Sequence, residues 1–152
     1  MTMIGMEAKF IGILSEDKNN FVVIPKLWGE FKRRTQEIND VVKGTDYGIC
    51  YNVPGTKSHP DEFCYLACVQ VKNTDKIPKG MISKTIKAGK YACFTHKGPI
   101  ENFEHTMKYI FGSWLPKSGK TLRKAPDIEV YDHRFNILNQ ENSELEIWIP
   151  IE

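Results

Sequence analysis

No stretch of about 18 consecutive apolar residues occurs in the chain, so it encodes no transmembrane helix. A charged-then-apolar leader is also missing from its start, and a cytoplasmic location is the expectation. Histidines number four, His59, His96, His105 and His133, and none stands in HExxH spacing or beside a serine or cysteine that reads as a nucleophile. No Gly-x-Ser-x-Gly elbow is present either. The string Ser118-Gly-Lys-Thr121 resembles the end of a phosphate loop, but Trp114 stands where that loop requires glycine, and a helical pattern rather than a strand comes before it. Long basic blocks are missing as well. The 21 bases and 19 acids are spread along the chain to a formal net charge of +2, and the densest cluster, Lys32-Arg33-Arg34, reads as one solvated helix face rather than a nucleic-acid footprint.

Cysteine is sparse, and its placement argues against staples and metals. Cys50, Cys64, Cys68 and Cys93 all lie in apolar, strand-like runs, where free thiols behave as small hydrophobes. On a strand, Cys64 and Cys68 share a face but lie about 13 Å apart, too far to hold one metal ion. Neither a metal nor a cofactor is expected.

What remains is an ordinary globular composition, 41% hydrophobic and 26% charged, in 152 residues, enough for one domain over 1–152 with its own core. Met6 to Leu14 reads as a first strand and Ser15 to Asn20 as a polar loop. Pro25 predicts a helix opening, with Leu27, Phe31 and Ile38 on one face, Trp28 beside them, and an end near Lys43-Gly44. Strands follow at Tyr47–Val53 and Phe63–Val71, with an exposed loop between them, and the polar segment Lys72–Gly80 reads as a connector. The order then recurs: a strand at Lys90–His96, a helix from Ile100 with Phe103, Met107, Ile110, Phe111 and Trp114 at three-four spacing, a stop at Pro116, and two last strands. Two strand-helix-strand-strand halves, about 1–75 and 85–152, predict an α+β fold: an antiparallel sheet with both helices on one face and a ligand cleft on the other.

The last two strands carry the chemistry. In Pro126–His133, Ile128 and Val130 point one way while Asp127, Glu129, Tyr131 and His133 point the other. In Ser143–Ile151, Leu145, Ile147 and Ile149 oppose Glu144, Glu146 and Trp148. The expected pairing puts Ile128, Val130, Leu145, Ile147 and Ile149 under the helices, and Glu129, Glu146, Tyr131 and Trp148 together on the open face. A carboxylate half-buried among aromatic rings costs several kcal/mol to desolvate unless a cation compensates it. Tyr47, Tyr51, Tyr65, Tyr131 and Trp148 can all lie on strand faces, and a cation over such rings gains about 0.5 to 2 kcal/mol each. A wet sheet face with Glu129 paired to a lysine, and core packing for each single ring, are the competing readings.

The run Gly89-Lys-Tyr-Ala-Cys-Phe-Thr-His-Lys-Gly-Pro99, the helix ending Trp114-Leu-Pro-Lys-Ser-Gly119, Asp127-Ile-Glu-Val-Tyr131 and Glu146-Ile-Trp-Ile-Pro-Ile151 together resemble the GyrI-like effector-binding domain of multidrug-sensing transcription regulators. Phe10-Ile-Gly12 and Pro25-Lys-Leu-Trp-Gly-Glu-Phe31 look like the family's first half, so the resemblance covers nearly the whole chain. It implies a cleft for bulky lipophilic or aromatic cations, with the family's buried glutamate at Glu129, an auxiliary acid at Glu146, and an aromatic wall at Tyr47, Tyr51, Phe103 and Trp148. The first strand is expected within about ten residues of Met1, leaving no room for a helix-turn-helix before it; a regulatory output would then pass through a DNA-binding partner protein, with no direct nucleic-acid contact. Two rival functions come with the resemblance. One is hydrolysis of reactive cyclopropane-bearing compounds, with Glu129 as general base and Tyr131 or Tyr47 orienting the leaving group. The other is a protein-binding inhibitor, as the family's gyrase-inhibitor name implies.

Overall fold

The computed structural model describes residues 1–152 throughout. Seven strands, β1 (Thr2–Ile11), β2 (Val41–Asn52), β3 (Glu62–Val71), β4 (Ile82–Thr85), β5 (Tyr91–Lys97), β6 (Asp127–Tyr131) and β7 (Glu144–Pro150), form one sheet in the order β4-β1-β3-β2-β6-β7-β5. Every pairing is antiparallel. The first-half trio β1-β3-β2 and the second-half trio β6-β7-β5 mirror one another about the β2–β6 seam, as two strand-helix-strand-strand units require. β4 is an unmatched edge strand, just past the expected connector Lys72–Gly80, in a stretch for which the sequence predicts no element.

Both helices lie on one face. α1 (Asn20–Lys32) sets Leu27 and Phe31 against Ile4, Phe10, Tyr65, Ala67, Val69 and Val71, with Val23, Ile24 and Trp28 alongside. These positions recur at helical spacing, while Val22, Pro25 and Lys26 face outward. The helix begins five residues before Pro25 and ends at Lys32, well short of the expected Lys43-Gly44. Pro25 is tolerated inside it, on the exposed side, where one backbone bond is lost to water rather than to the core. The residues expected to prolong the helix turn instead through Thr35–Glu37 and Asp40, at φ 54, into the long strand β2. Lys43-Gly44 falls in a bulge of β2 against β3, with Gly44 at φ 106.

The second helical rod runs from α2 (Phe103–Tyr109) through a π-helical segment (Ile110–Trp114) into α3 (Leu115–Ser118). Pro116 does not stop it. The wider π turn just before the proline absorbs a ring that has no N–H for the regular ladder, and Gly119 at φ 71 ends the rod. Phe103, Met107, Ile110 and Phe111 pack on Leu145, Ile147 and Ile149, and Trp114 meets Phe94 edge-on at 4.8 Å.

The register of β6 against β7 departs from expectation. Glu129 stands opposite Ile147, and Ile128 opposite Trp148. Directly paired residues share a face, so Glu129 and Tyr131 lie on the helix face with Ile147, while Ile128, Val130, Glu146 and Trp148 lie on the other. A shift of one residue exchanges the faces of a whole strand. The expected open face is also filled: Met3, Ile49, Leu66, Cys68, Ile128 and Val130 form a second core there, flanked by Tyr47, Tyr51, Tyr91 and Trp148 and capped by Ile86 from the chain after β4. The cleft therefore belongs between the helices, not on the face away from them.

Candidate ligand cleft

A cleft of about 830 Å³ opens on the helix face and runs round the ends of β2 and β6. Ile24 of α1 and Phe103, Met107 and Phe111 of the second rod form its walls, and Cys50, Tyr65, Asp127, Glu129 and Ile147 its floor. Its lining is chiefly apolar with a few ionisable groups, the composition expected of a small-molecule site.

Glu129 is held by a ring of aromatic side chains from three elements. The Tyr131 hydroxyl donates to Glu129 Oε1 at 2.8 Å and the Tyr65 hydroxyl donates to the same oxygen at 3.2 Å. Trp28 Nε1 donates to the Tyr65 hydroxyl at 3.1 Å, and the Trp28 and Tyr131 rings meet at 5.3 Å. β3, β6 and α1 thus fix one carboxylate oxygen, and Oε2 receives no donor from the protein. The arrangement depends on Gly48, which pairs with both Ala67 and Glu129. A methyl group at Gly48 would overlap the Tyr65 phenol, which crosses that position to reach Glu129.

No lysine or arginine pairs with Glu129. Burial pushes its carboxyl from the ordinary 4.5 up to about 7, against the opposing pull of the Tyr131 and Tyr65 hydrogen bonds, and the nearby Asp127 charge adds to the rise. Asp127, two residues earlier on the same face, is likewise raised to about 7, by burial alone. Both phenols are driven well above their usual range, first by burial and then by the Glu129 charge, so they remain donors at neutral pH. The Cys50 thiol, opposite Asp127 across the seam, is also pushed up, chiefly by burial and then by the two carboxylates; it is a protonated lining group, not a poised nucleophile.

The structure separates the other expected site residues. Phe103 is buried in the cleft wall. Tyr51 lies on the opposite face, where its hydroxyl donates to Glu7 and Lys84 Nζ sits 3.8 Å above its ring, yet at the end of β2 it reaches the cleft edge. Tyr47 and Trp148 belong to the second core, with Trp148 against Tyr91 at 6.2 Å. Glu146 is on that side too, bound by Arg134 at 2.8 Å, and Arg134 also holds Asp132. The expected gathering of Glu129, Glu146, Tyr131 and Trp148 on one surface does not occur; only Glu129 and Tyr131 meet.

Tyr65, Asp127 and Asn20 line the cleft and Trp28 backs it through Tyr65; the sequence alone assigns none of them to the site, though it offers Tyr65 among the rings a cation could face. Tyr65 sits in β3, whose two faces are both apolar, so no alternation marks which way it points. Asp127 had been read as sharing the face of Glu129, which was the available signal. His96 is buried, with its ring nitrogens hydrogen-bonded to Thr106 Oγ1 at 2.6 Å and the Pro99 carbonyl at 2.9 Å. Of the four free cysteines, Cys93 is exposed rather than packed inside. No helix is long and apolar enough to cross a membrane.

Comparison with known proteins agrees with this architecture. Transcriptional regulator BrlR of Pseudomonas aeruginosa is 33% identical over 129 residues, covering 84% of this chain but 46% of BrlR, so the chain spans under half of that relative's length. Probable transcriptional regulator YgiV of Escherichia coli K12 is 26% identical over 122 residues, 78% of this chain and 74% of YgiV. Among solved structures, SAV2435 bound to tetraphenylphosphonium superposes with a TM-score of 0.67 at 20% identity, over 100% of this chain and 88% of that one. The model of the GyrI-like small molecule binding domain matches residues 1–152, and the chain belongs to that family.

Proposed function

We propose that the chain binds bulky lipophilic or aromatic cations in the helix-side cleft, with Glu129 as the charge partner. The observation that carries this reading is a carboxylate enclosed by Tyr65, Tyr131 and Trp28, unpaired with any base of its own chain and open to the cleft through one oxygen. Such a group is held at a cost that an incoming cation offsets, while Phe103 and Phe111 of the cleft wall add aromatic attraction. The tetraphenylphosphonium held by SAV2435 supports the ligand class. Phe103 and Tyr51 contribute aromatic wall in this proposal; Tyr47, Trp148 and Glu146 serve the far side of the sheet. The chain acts as a sensing or sequestering module in the cytoplasm, and BrlR, a transcriptional regulator of roughly twice the matched length, supports readout through a DNA-binding segment or partner protein.

The test compares 10-methylacridinium with neutral 9-methylanthracene, titrated by fluorescence. Glu129→Gln should weaken the cation by about 1 to 3 kcal/mol and leave the neutral compound nearly unaffected. Equal losses for both would show that the carboxylate acts through structure and not through charge.

A second reading, hydrolysis, draws on the raised proton affinity of Glu129, which suits a general base near neutral pH, and on the Tyr131 hydroxyl beside it. Under that reading an electrophilic ligand would be turned over by the unmodified protein and left intact by Glu129→Gln; binding without turnover in both would dismiss it.

A further inference from the structure

We propose that Asp127 is a second charge-recognition residue of the cleft, and that the ligands selected by this chain are compact dications bearing N–H groups, with one positive centre at Glu129 and the other at Asp127. The inference rests on the cation-binding reading above and goes beyond it by assigning a second charge and hydrogen-bond donors to the ligand.

Three features of the cleft carry it. Asp127 and Glu129 project from β6 onto the same face, at alternate positions, roughly 6 to 7 Å apart along the strand. Asp127 makes no side-chain hydrogen bond and no ion pair, and the Cys50 thiol opposite it across the seam has no charge to give. Second, Asn20 at the start of α1 lines the same cleft, is 7% exposed, and its Oδ1 is buried with no hydrogen-bond partner. A buried acceptor left in this state costs free energy that a donor entering the cleft can recover. Third, Glu129 Oε2 is also free, because both phenols are spent on Oε1.

The cleft therefore presents unmet acceptors at Asp127, Asn20 and Glu129, beside one buried unpartnered donor, Arg123 Nε. A quaternary cation without N–H groups would satisfy the Glu129 charge alone and leave Asp127 and Asn20 unmet. A molecule with two protonated amines or amidines about a flat aromatic body supplies both charges and the N–H donors. The remaining charged groups of the cleft wall are Asp61, Lys84, Arg123 and Lys124. Lys84 is engaged over Tyr51, and Arg123 lies 4.9 Å from the Tyr91 ring centre and donates to the Lys90 carbonyl at 3.1 Å. Neither is bonded to Asp127.

The probes are 9,10-bis(aminomethyl)anthracene, whose two ammonium groups lie a comparable distance apart, and 9-(aminomethyl)anthracene, the same body with one charge. The unmodified protein should bind the dication at least about tenfold more tightly, and Asp127→Asn should abolish that preference, costing the dication far more affinity than the monocation. Glu129→Gln should weaken both. On the unmodified protein near pH 7, calorimetry in buffers of different ionisation enthalpy should show the dication releasing roughly twice as many protons as the monocation, a readout that needs no variant. No preference for the dication, a preference that survives Asp127→Asn, or equal proton release would overturn the proposal while the monocation continues to report on Glu129. Failure of both compounds to bind would instead remove the cation-binding reading beneath it.

Discussion

Replacing Glu129 by glutamine should make the ligand-free protein more stable above neutral pH. The unfolded chain ionises this group near 4.5 and the folded protein near 7, so between those values the folded state holds a proton that the unfolded state has released. Folding is then favoured at low pH, and this contribution is lost as the pH rises through 7. At about 1.4 kcal/mol per tenfold change in proton affinity, the full interval corresponds to roughly 3 kcal/mol. Oε2 opens on the cleft and draws some solvation from it, so about 1 to 3 kcal/mol is the expected difference at pH 8. Glutamine keeps the carbonyl that accepts from Tyr65 and Tyr131, removes the charge, and conserves the volume. Urea titrations followed by tryptophan fluorescence, run on both proteins from pH 4.5 to 8.5, give the difference directly. Shifts of the many surface acids cancel in it. The two curves should coincide near pH 4.5 and separate steadily toward pH 8, with the variant the more stable. Parallel curves, or a variant less stable at pH 8, would refute the claim that burial strains the Glu129 charge.

Two further outcomes separate the faces of the sheet. Gly48→Ala should displace the Tyr65 phenol, lowering stability by about 1 to 3 kcal/mol and weakening cationic ligands together with the Tyr65–Glu129 hydrogen bond; unchanged acridinium affinity would mean that Tyr65 does not position the carboxylate. Glu146→Gln should alter acridinium affinity by less than about twofold and stability by no more than about 1 kcal/mol, because its partner Arg134 keeps Asp132 and both stand on the far face. A tenfold or larger loss of affinity would place the cation on the wrong side of the sheet in our reading.

Much of the fold was written locally. The two apolar helical stripes, the alternation in Asp127–Tyr131 and Glu144–Pro150, and the recurrence of strand, helix, strand, strand were each readable because they depend on near neighbours in sequence. Glu129 stands out in the same way, as one of two acids, with Asp127, in a short strand of apolar and aromatic residues. Helix ends were read less well. Pro25 and Pro116 were treated as boundaries, yet the first lies on an exposed helix side and the second follows a π turn, and both are tolerated for reasons set by packing. β4 escaped because a four-residue edge strand has too little pattern of its own.

The sequence by itself determined most of the strands and both apolar helical stripes, that they repeat, and that an acid stands among apolar and aromatic residues on β6. The tertiary structure decided which way that acid points. Both faces of this sheet are packed, one under α1 and the second helical rod and the other under its own large side chains and Ile86, so apolar residues occur on both sides and alternation alone does not choose between them. The pairing of Glu129 with Gly48 and Ile147 makes the choice, placing Tyr65, Tyr131 and Trp28 around it and leaving Glu146 and Trp148 behind the sheet. Register is a long-range property, fixed by the joint packing of strands distant in sequence, and a single step of it carries a carboxylate from one side of the protein to the other.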